Sequence, residues 1–233
     1  MYKPFDQFHI NGRCISVIGS GGKTTFLRYL SEGLPGKVIL TTSTHIFPFS
    51  GMPLVKAGSE DVSVKDSSVQ RELILDAIRS AFALSRVICL GRPLASGKLS
   101  DPSGVISFED LLSVADFVLV EADGSAGRPL KAHRPWEPVI VACSSMTVGV
   151  VGASGIGKRA SQSCHCSDLF CAMAGIAPDQ PVNEEHIAKV LNRENLADCY
   201  LVNQVDTLPD PNIARRLCDL IAKDAFPCSL GPR

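Results

Sequence analysis

No stretch of this 233-residue chain is basic enough to hold a nucleic-acid backbone. Its 23 Lys and Arg residues stand against 24 Asp and Glu, a formal net charge of −1. No apolar run approaches the roughly 20 residues of a membrane span; the longest are strand-length. The opening residues Met1-Tyr2-Lys3-Pro4-Phe5-Asp6 lack the apolar centre of a signal peptide. These absences exclude bulk nucleic-acid binding and membrane insertion, and predict a cytoplasmic protein. Repeats and linker-like stretches are missing as well. With 45% apolar and 20% charged residues, usage is ordinary for a globular chain. One domain over residues 1–233 is the expectation, large enough for a real core.

Cysteine is not scarce, but a metal-ligand pattern is. The nine cysteines are an odd number. Cys14 and Cys89 sit in apolar runs and read as small core residues. Cys164-His165-Cys166 with Cys171 is the cluster a metal would favour, yet no second Cys-x-x-Cys pair completes a tetrahedral set. The thiols are therefore read as reduced and incidental, since a disulfide scaffold does not suit a cytosolic chain.

The standard phosphate loop, G-x-x-x-x-G-K-[ST], is also missing at the place where it would be sought. Counting back from Lys23, its first Gly would fall on Val17. What stands there is the shorter Gly19-Ser20-Gly21-Gly22-Lys23-Thr24-Thr25. The apolar run Cys14-Ile15-Ser16-Val17-Ile18 precedes it, and the helix-compatible run Phe26-Leu27-Arg28-Tyr29-Leu30 follows. Strand, glycine turn and helix start together make a phosphate cradle. Glycines let backbone N–H groups approach phosphate oxygens, and the helix N-terminus adds partial positive charge. Lys23 supplies a full charge, and the Thr24 hydroxyl suits Mg²⁺. Mur-ligase-type enzymes share this spacing, as does the core of the deviant loop in ParA/MinD-like ATPases, whose signature Lys is here Ile18.

A longer loop, Gly152-Ala153-Ser154-Gly155-Ile156-Gly157-Lys158-Arg159, has the standard spacing but Arg159 in place of Ser or Thr. No periodic helix pattern follows, so it reads as a flexible loop at a strand end, near the ligand.

Strand-like and helix-like segments alternate along the chain. Strands are expected at 14–18, 37–42, 86–90, 116–120, 146–151 and 200–202. Helices are expected at 23–32, 69–84, 108–115, 169–175, 184–191 (capped by Asn183) and 211–223. A Pro/Gly-rich loop runs to about Gly58. The alternation predicts an α/β fold, a three-layer P-loop NTPase-like parallel sheet with helices on both faces. Ligands in such sheets bind beyond the carboxyl ends of the strands, where every polar motif here falls.

Four further motifs carry chemistry. The run Phe117-Val118-Leu119-Val120 delivers Glu121 and Asp123 to a strand tip, where acids hold Mg²⁺ or orient an attacking group. Thr42, Ser43, Thr44 and His45 end the second strand, placed either to meet the metal and γ-phosphate or simply to cap the strand. The segment 124–138 carries Arg128, Lys131, His133, Arg134 and Glu137, suiting an anionic substrate or a transferred phosphoryl group. Asn203-Gln204-Val205-Asp206 resembles the Asn-Lys-x-Asp base-reading element of GTPases, with Gln204 in place of Lys.

Taken together, these residues resemble the YqeC family, accessory proteins of selenium-dependent molybdenum hydroxylases. The likeness is carried by 16–25, by 40–45 (Leu-Thr-Thr-Ser-Thr-His), by Val118 to Ser125, by Gly127-Arg128-Pro129-Leu130-Lys131-Ala132-His133 and by Trp136-Glu137-Pro138-Val139-Ile140. It implies a P-loop nucleotide-binding protein associated with selenium cofactor maturation, with the hydroxylase or its maturation proteins as partners. It also implies a His-Arg pair late in the chain, where this sequence has His165-Cys166.

The expected function is Mg²⁺-dependent ATP or GTP binding, as an NTPase or a phosphoryl or nucleotidyl transferase. The cradle is Gly19, Ser20, Gly21, Gly22, Lys23, Thr24 and Thr25, with Asn203 and Asp206 at the base. Thr24, Glu121 and Asp123 hold the metal; Lys23, Glu121 and Asp123 act on the phosphates; Lys131 and His133 face the second substrate. A non-catalytic, nucleotide-gated switch is the alternative. A Mur-like ligase forming an acyl phosphate is the third reading, suggested by loop spacing alone.

Overall fold

The computed structural model describes residues 10–58 and 67–231. The opening hexapeptide lies outside them. In chain order the elements are β1 (Cys14–Gly19), α1 (Lys23–Gly33), β2 (Val38–Thr42), β3 (His45–Ile46), β4 (Leu54–Lys56), α2 (Ser67–Phe82), β5 (Val87–Pro93), β6 (Leu99–Ser100), α3 (Phe108–Val114) and β7 (Phe117–Glu121). Then follow β8 (Leu130–Lys131), β9 (Met146–Gly152), α4 (Ala160–Ser163), β10 (Cys164–His165), α5 (Ser167–Ala174), α6 (Glu184–Glu194), β11 (Cys199–Asn203), α7 (Asn212–Leu220) and β12 (Asp224–Pro227).

The fold is the three-layer α/β arrangement that the alternation predicts. The main sheet has the order β12-β11-β9-β1-β7-β2-β5-β6-β3, with β4 on β5. Of its ten strands, β6 and β3 join antiparallel and the others run parallel. Every residue of β1 and β2 is buried, which is why these strands read as apolar runs and not as alternating ones. Along β1, Ile15 and Val17 pack on α1 through Phe26, Leu27 and Leu30. Cys14 faces the other side with α2 and α3, and Ile18 joins the cluster built by α5, α6 and α7. Burying a Leu such as Leu27 or Leu30 in full contributes about 1.5–3 kcal/mol.

From β1 the chain first builds β2, β5 and β7 on one side, then crosses to β9, β11 and β12 on the other. β1 is therefore the switch point of the sheet, where a crevice opens at the carboxyl ends. Asn183 caps α6 as expected, its side chain accepting from the His186 N–H at 3.0 Å.

Some elements differ from the sequence reading. The last helix stops at Leu220, and β12 follows it as an edge strand that only pairing with β11 reveals. The Pro/Gly-rich stretch holds the short strands β3 and β4. One turn of helix, α4, follows the longer glycine loop where no helix was expected. β8 and β10 form a separate two-stranded sheet that ties the 124–138 segment to the Cys164 region.

Candidate functional site

The loop after β1 is shaped by contacts that exclude side chains. Gly21 has φ +81°, and a Cβ there would lie 2.3 Å from the Gly152 Cα. Gly22 has φ +125°, and its Cβ would lie 2.4 Å from Asn203 Nδ2. Only glycine serves at both. The Ser20 N–H donates to the Val150 carbonyl at 2.8 Å, anchoring the loop on β9.

The two acids after β7 have different surroundings. Glu121 lies level with Val17 of β1 and Thr42 of β2. The Thr24 hydroxyl donates to Glu121 Oε2 at 2.9 Å, and Lys23 Nζ lies 3.9 Å from its Oε1. Burial raises the Glu121 pKa, opposed by the Lys23 charge and the Thr24 hydrogen bond. Asp123, fully buried, sits underneath. Its Oδ1 pairs with Lys23 at 3.1 Å, and its Oδ2 accepts from the Gly19 N–H at 2.9 Å. The same Oδ2 meets His133 Nε2 at 2.8 Å and Lys131 Nζ at 3.2 Å. Burial pushes the Asp123 pKa up, but the His133 hydrogen bond and the charges of Lys23, Lys131 and His133 hold it at about 2.

His133 bridges this hub to a residue that the sequence analysis missed. Its Nδ1 meets Glu194 Oε2 at 2.8 Å, and its backbone N–H donates to Glu194 Oε1 at 2.6 Å. Burial lowers the His133 pKa, yet the two carboxylates prevail and the net shift is upward. Lys131 pairs with Glu137 at 2.7 Å as well. Nothing near Glu194 in sequence signals this role; it arrives at the end of α6.

An open groove of about 820 Å³ passes over the loop, a volume suited to a small ligand. Lys23, Thr24, Thr25 and Glu121 line it, together with the cations Lys98, Arg128 and Lys158. Gly19, Asp123, Lys131 and His133 do not line it. Lys131 and His133, expected to face a second substrate, are turned inward and buried against Asp123. Asp123, expected at the metal, has both oxygens engaged by the cations beneath the loop. Ser154 and Lys158 of the longer glycine loop line the groove as well.

Asn203 is buried, and its side chain is committed. Its Nδ2 donates to the Gly21 carbonyl at 2.9 Å, and its Oδ1 accepts from the Leu230 N–H at 2.8 Å. It therefore braces the glycine loop. Asp206 is exposed on a 3-10 turn, and Gln204 accepts from the Ser154 hydroxyl at 2.6 Å. No grouping of three or more His, Cys, Asp or Glu residues fit for a metal exists among the described residues, and all nine cysteines are free. Burial pushes the Cys164 thiol up to about 11, so it stays protonated. Cys166, where a His-Arg pair was implied, sits in left-handed backbone at the start of α5. Among the described residues, no helix is long and apolar enough to cross a membrane.

A family profile described as YqeC protein matches residues 15–168, which span the glycine loop 19–25, the Glu121 strand and the 124–138 segment. The chain belongs to the YqeC family. A relative from Escherichia coli (strain K12), described as "Uncharacterized protein YqeC", is 32% identical over 173 residues. That match covers 71% of this chain and 62% of the relative, less than two thirds of the relative's length. No solved structure matches the chain. Most of the family match lies on β1 through β9, the part that builds the groove floor.

Proposed function

We propose that the chain binds a nucleoside triphosphate, ATP or GTP, with Mg²⁺, and uses it for hydrolysis or for phosphoryl or nucleotidyl transfer. One observation carries this reading: Lys23 and Thr24, at the helix start after a glycine turn, meet Glu121 from the neighbouring strand tip on the wall of an open cationic groove. The residues fit the metal. Thr24 and Glu121 bring two oxygens within 2.9 Å of each other, and a cation there would stabilise the ionised form of Glu121 that burial disfavours. Mg²⁺ bound there would neutralise charge across the β- and γ-phosphates. Lys23 would add a second positive charge, and the backbone N–H groups of Gly21, Gly22 and Lys23 would cradle the phosphates. Asp123 and His133 would position Lys23 and Gly19 from below.

Following the family resemblance, we place this activity in selenium cofactor maturation, on a selenium-dependent molybdenum hydroxylase or its maturation proteins. The test is calorimetric titration with non-hydrolysable ATP and GTP analogues plus Mg²⁺, on the parent and on Lys23→Ala. Lys23-dependent binding is expected. Absence of binding, or equal affinity in the variant, overturns the reading. Tight binding with negligible turnover would make the protein a nucleotide-gated switch.

A further inference from the structure

At one end of the groove, beside Glu121, stands a small antiparallel ladder that the phosphate reading does not use. β3 and β6 pair with His45 opposite Ser100 and Ile46 opposite Leu99. Side chains alternate along such a ladder. Ile46 and Leu99 point into the core at 4% and 1% exposure. His45 on β3 belongs to the opposite face, and one step beyond the ladder Phe47 and Lys98 continue it. All three line the groove. Phe47 is 61% exposed, and the Lys98 ammonium lies 5.1 Å from its ring centroid.

Phe47 is held out deliberately by its surroundings. Its neighbours Ile46 and Phe49 are both buried anchors, Pro48 stiffens the link between them, and Arg28 of α1 donates to the Ser50 carbonyl at 2.6 Å. Lys98 sits on a tight turn closed by the Leu94 N–H to the Lys98 carbonyl at 2.8 Å. Two separately anchored loops therefore present an aromatic face and a cation to the same space.

We infer that this wall is a second ligand subsite, taking a planar aromatic molecule that carries an anionic group. Its place beside the terminal phosphate rests on the nucleotide reading above. On that reading Thr24 and Glu121 would hold the metal and terminal phosphate on the β7 side of the loop, and the nucleoside would extend toward Ser154, Lys158 and Gln204 on the β9 and β11 side. Phe47, Lys98 and His45 lie beyond β2, on the terminal-phosphate side. Phe47 stacks the ring system, and Lys98 pairs with the anion.

The test uses pyrene-1-carboxylate, a fluorescent planar anion, titrated into the full chain by fluorescence polarisation, with the Mg²⁺-bound ATP analogue present and absent. Saturable binding is expected. Phe47→Ala weakens it roughly tenfold, within the range of a lost aromatic stack, and Phe47→Trp restores it. Lys98→Glu weakens pyrene-1-carboxylate more than the neutral pyrene-1-methanol. Absence of saturable binding, or affinity indifferent to both substitutions, overturns the subsite. Nucleotide titration separates the two readings. Phe47-dependent probe binding in a protein that binds no nucleotide sustains the subsite and removes the phosphate reading. Nucleotide binding without probe binding does the reverse.

Discussion

Lys23 Nζ and Asp123 Oδ1 lie 3.1 Å apart, both buried, at the floor of the glycine loop after β1. The same ammonium donates to the Gly19 carbonyl at 2.7 Å, four residues back along its own chain. The lysine that would meet a phosphate is thus folded back onto its own loop and held by the hub beneath. A bound phosphate would have to draw it away from Asp123, leaving Lys131 and His133 to compensate that carboxylate.

Asp123→Asn removes the charge that three cations share. Breaking a buried ion pair on one side costs about 3–5 kcal/mol, because the partners stay buried without compensation. Urea denaturation of the variant at neutral pH checks this. An effect under 1 kcal/mol, the order of a surface pair, would show the hub to be solvated.

The pH dependence has two limbs. The Asp123 pKa is depressed in the fold to about 2 from 3.8, so its stabilisation is present above the unfolded value and lost as pH falls toward 2. By linkage that limb amounts to about 2 kcal/mol. The His133 pKa is raised in the fold from 6.5, so its contribution is complete below 6.5 and is lost as pH rises through the higher folded value. Denaturation midpoints across pH 5–9 in parent and His133→Gln are the measurement. The decline on the alkaline side should be present in the parent and absent in the variant.

Glu121→Gln separates metal from fold. The carboxyl is buried with a raised pKa, so its ionised form is costly in the folded protein, and the neutral amide should leave thermal stability equal or higher. The extra nucleotide affinity conferred by Mg²⁺ should vanish. Titrations with Mg²⁺ and with EDTA, on parent and variant, read this directly; an undiminished Mg²⁺ effect would move the metal to other ligands.

Asn203→Ala distinguishes a loop brace from a base reader. Losing the bonds to Gly21 and Leu230 should cost about 1–3 kcal/mol of stability, since both partners are left within the fold. Affinity for ATP and GTP analogues should fall by the same factor, because the loop loosens for either. A loss confined to GTP would restore the base-reading role.

Gly22→Ala tests the loop itself. The new Cβ would approach Asn203 Nδ2 to 2.4 Å at a φ of +125°. Backbone strain of about 1–3 kcal/mol then falls on the cradle, and nucleotide affinity should drop roughly tenfold or more. Calorimetry on the variant, with circular dichroism to verify folding, checks it.

Much of the architecture was legible because it is written locally. The run from Cys14 to Ile18 is buried on both faces, so its composition alone marks a central parallel strand. The glycines and Lys-Thr that follow mark a helix start bearing charge. Boundaries shifted by up to three residues, as for α6, which continues to Glu194. Short elements such as β3, β6 and β12 were not legible, since two to four residues hold no period and exist only through their partners.

What the sequence by itself determined is therefore the alternation of strand and helix, the phosphate-type loop between Ile18 and Phe26, and the gathering of polar motifs at the strand ends. What tertiary structure alone decided is how those residues divide their work. Glu121 faces the groove with Thr24 from 97 positions away, while Asp123, two residues on, is sealed under the loop. Glu194 reaches His133 across 61 positions, and Asn203 reaches Gly21 across 182. Side-chain patterns act over a few residues; partners brought together by sheet order and helix packing leave no trace in local spacing.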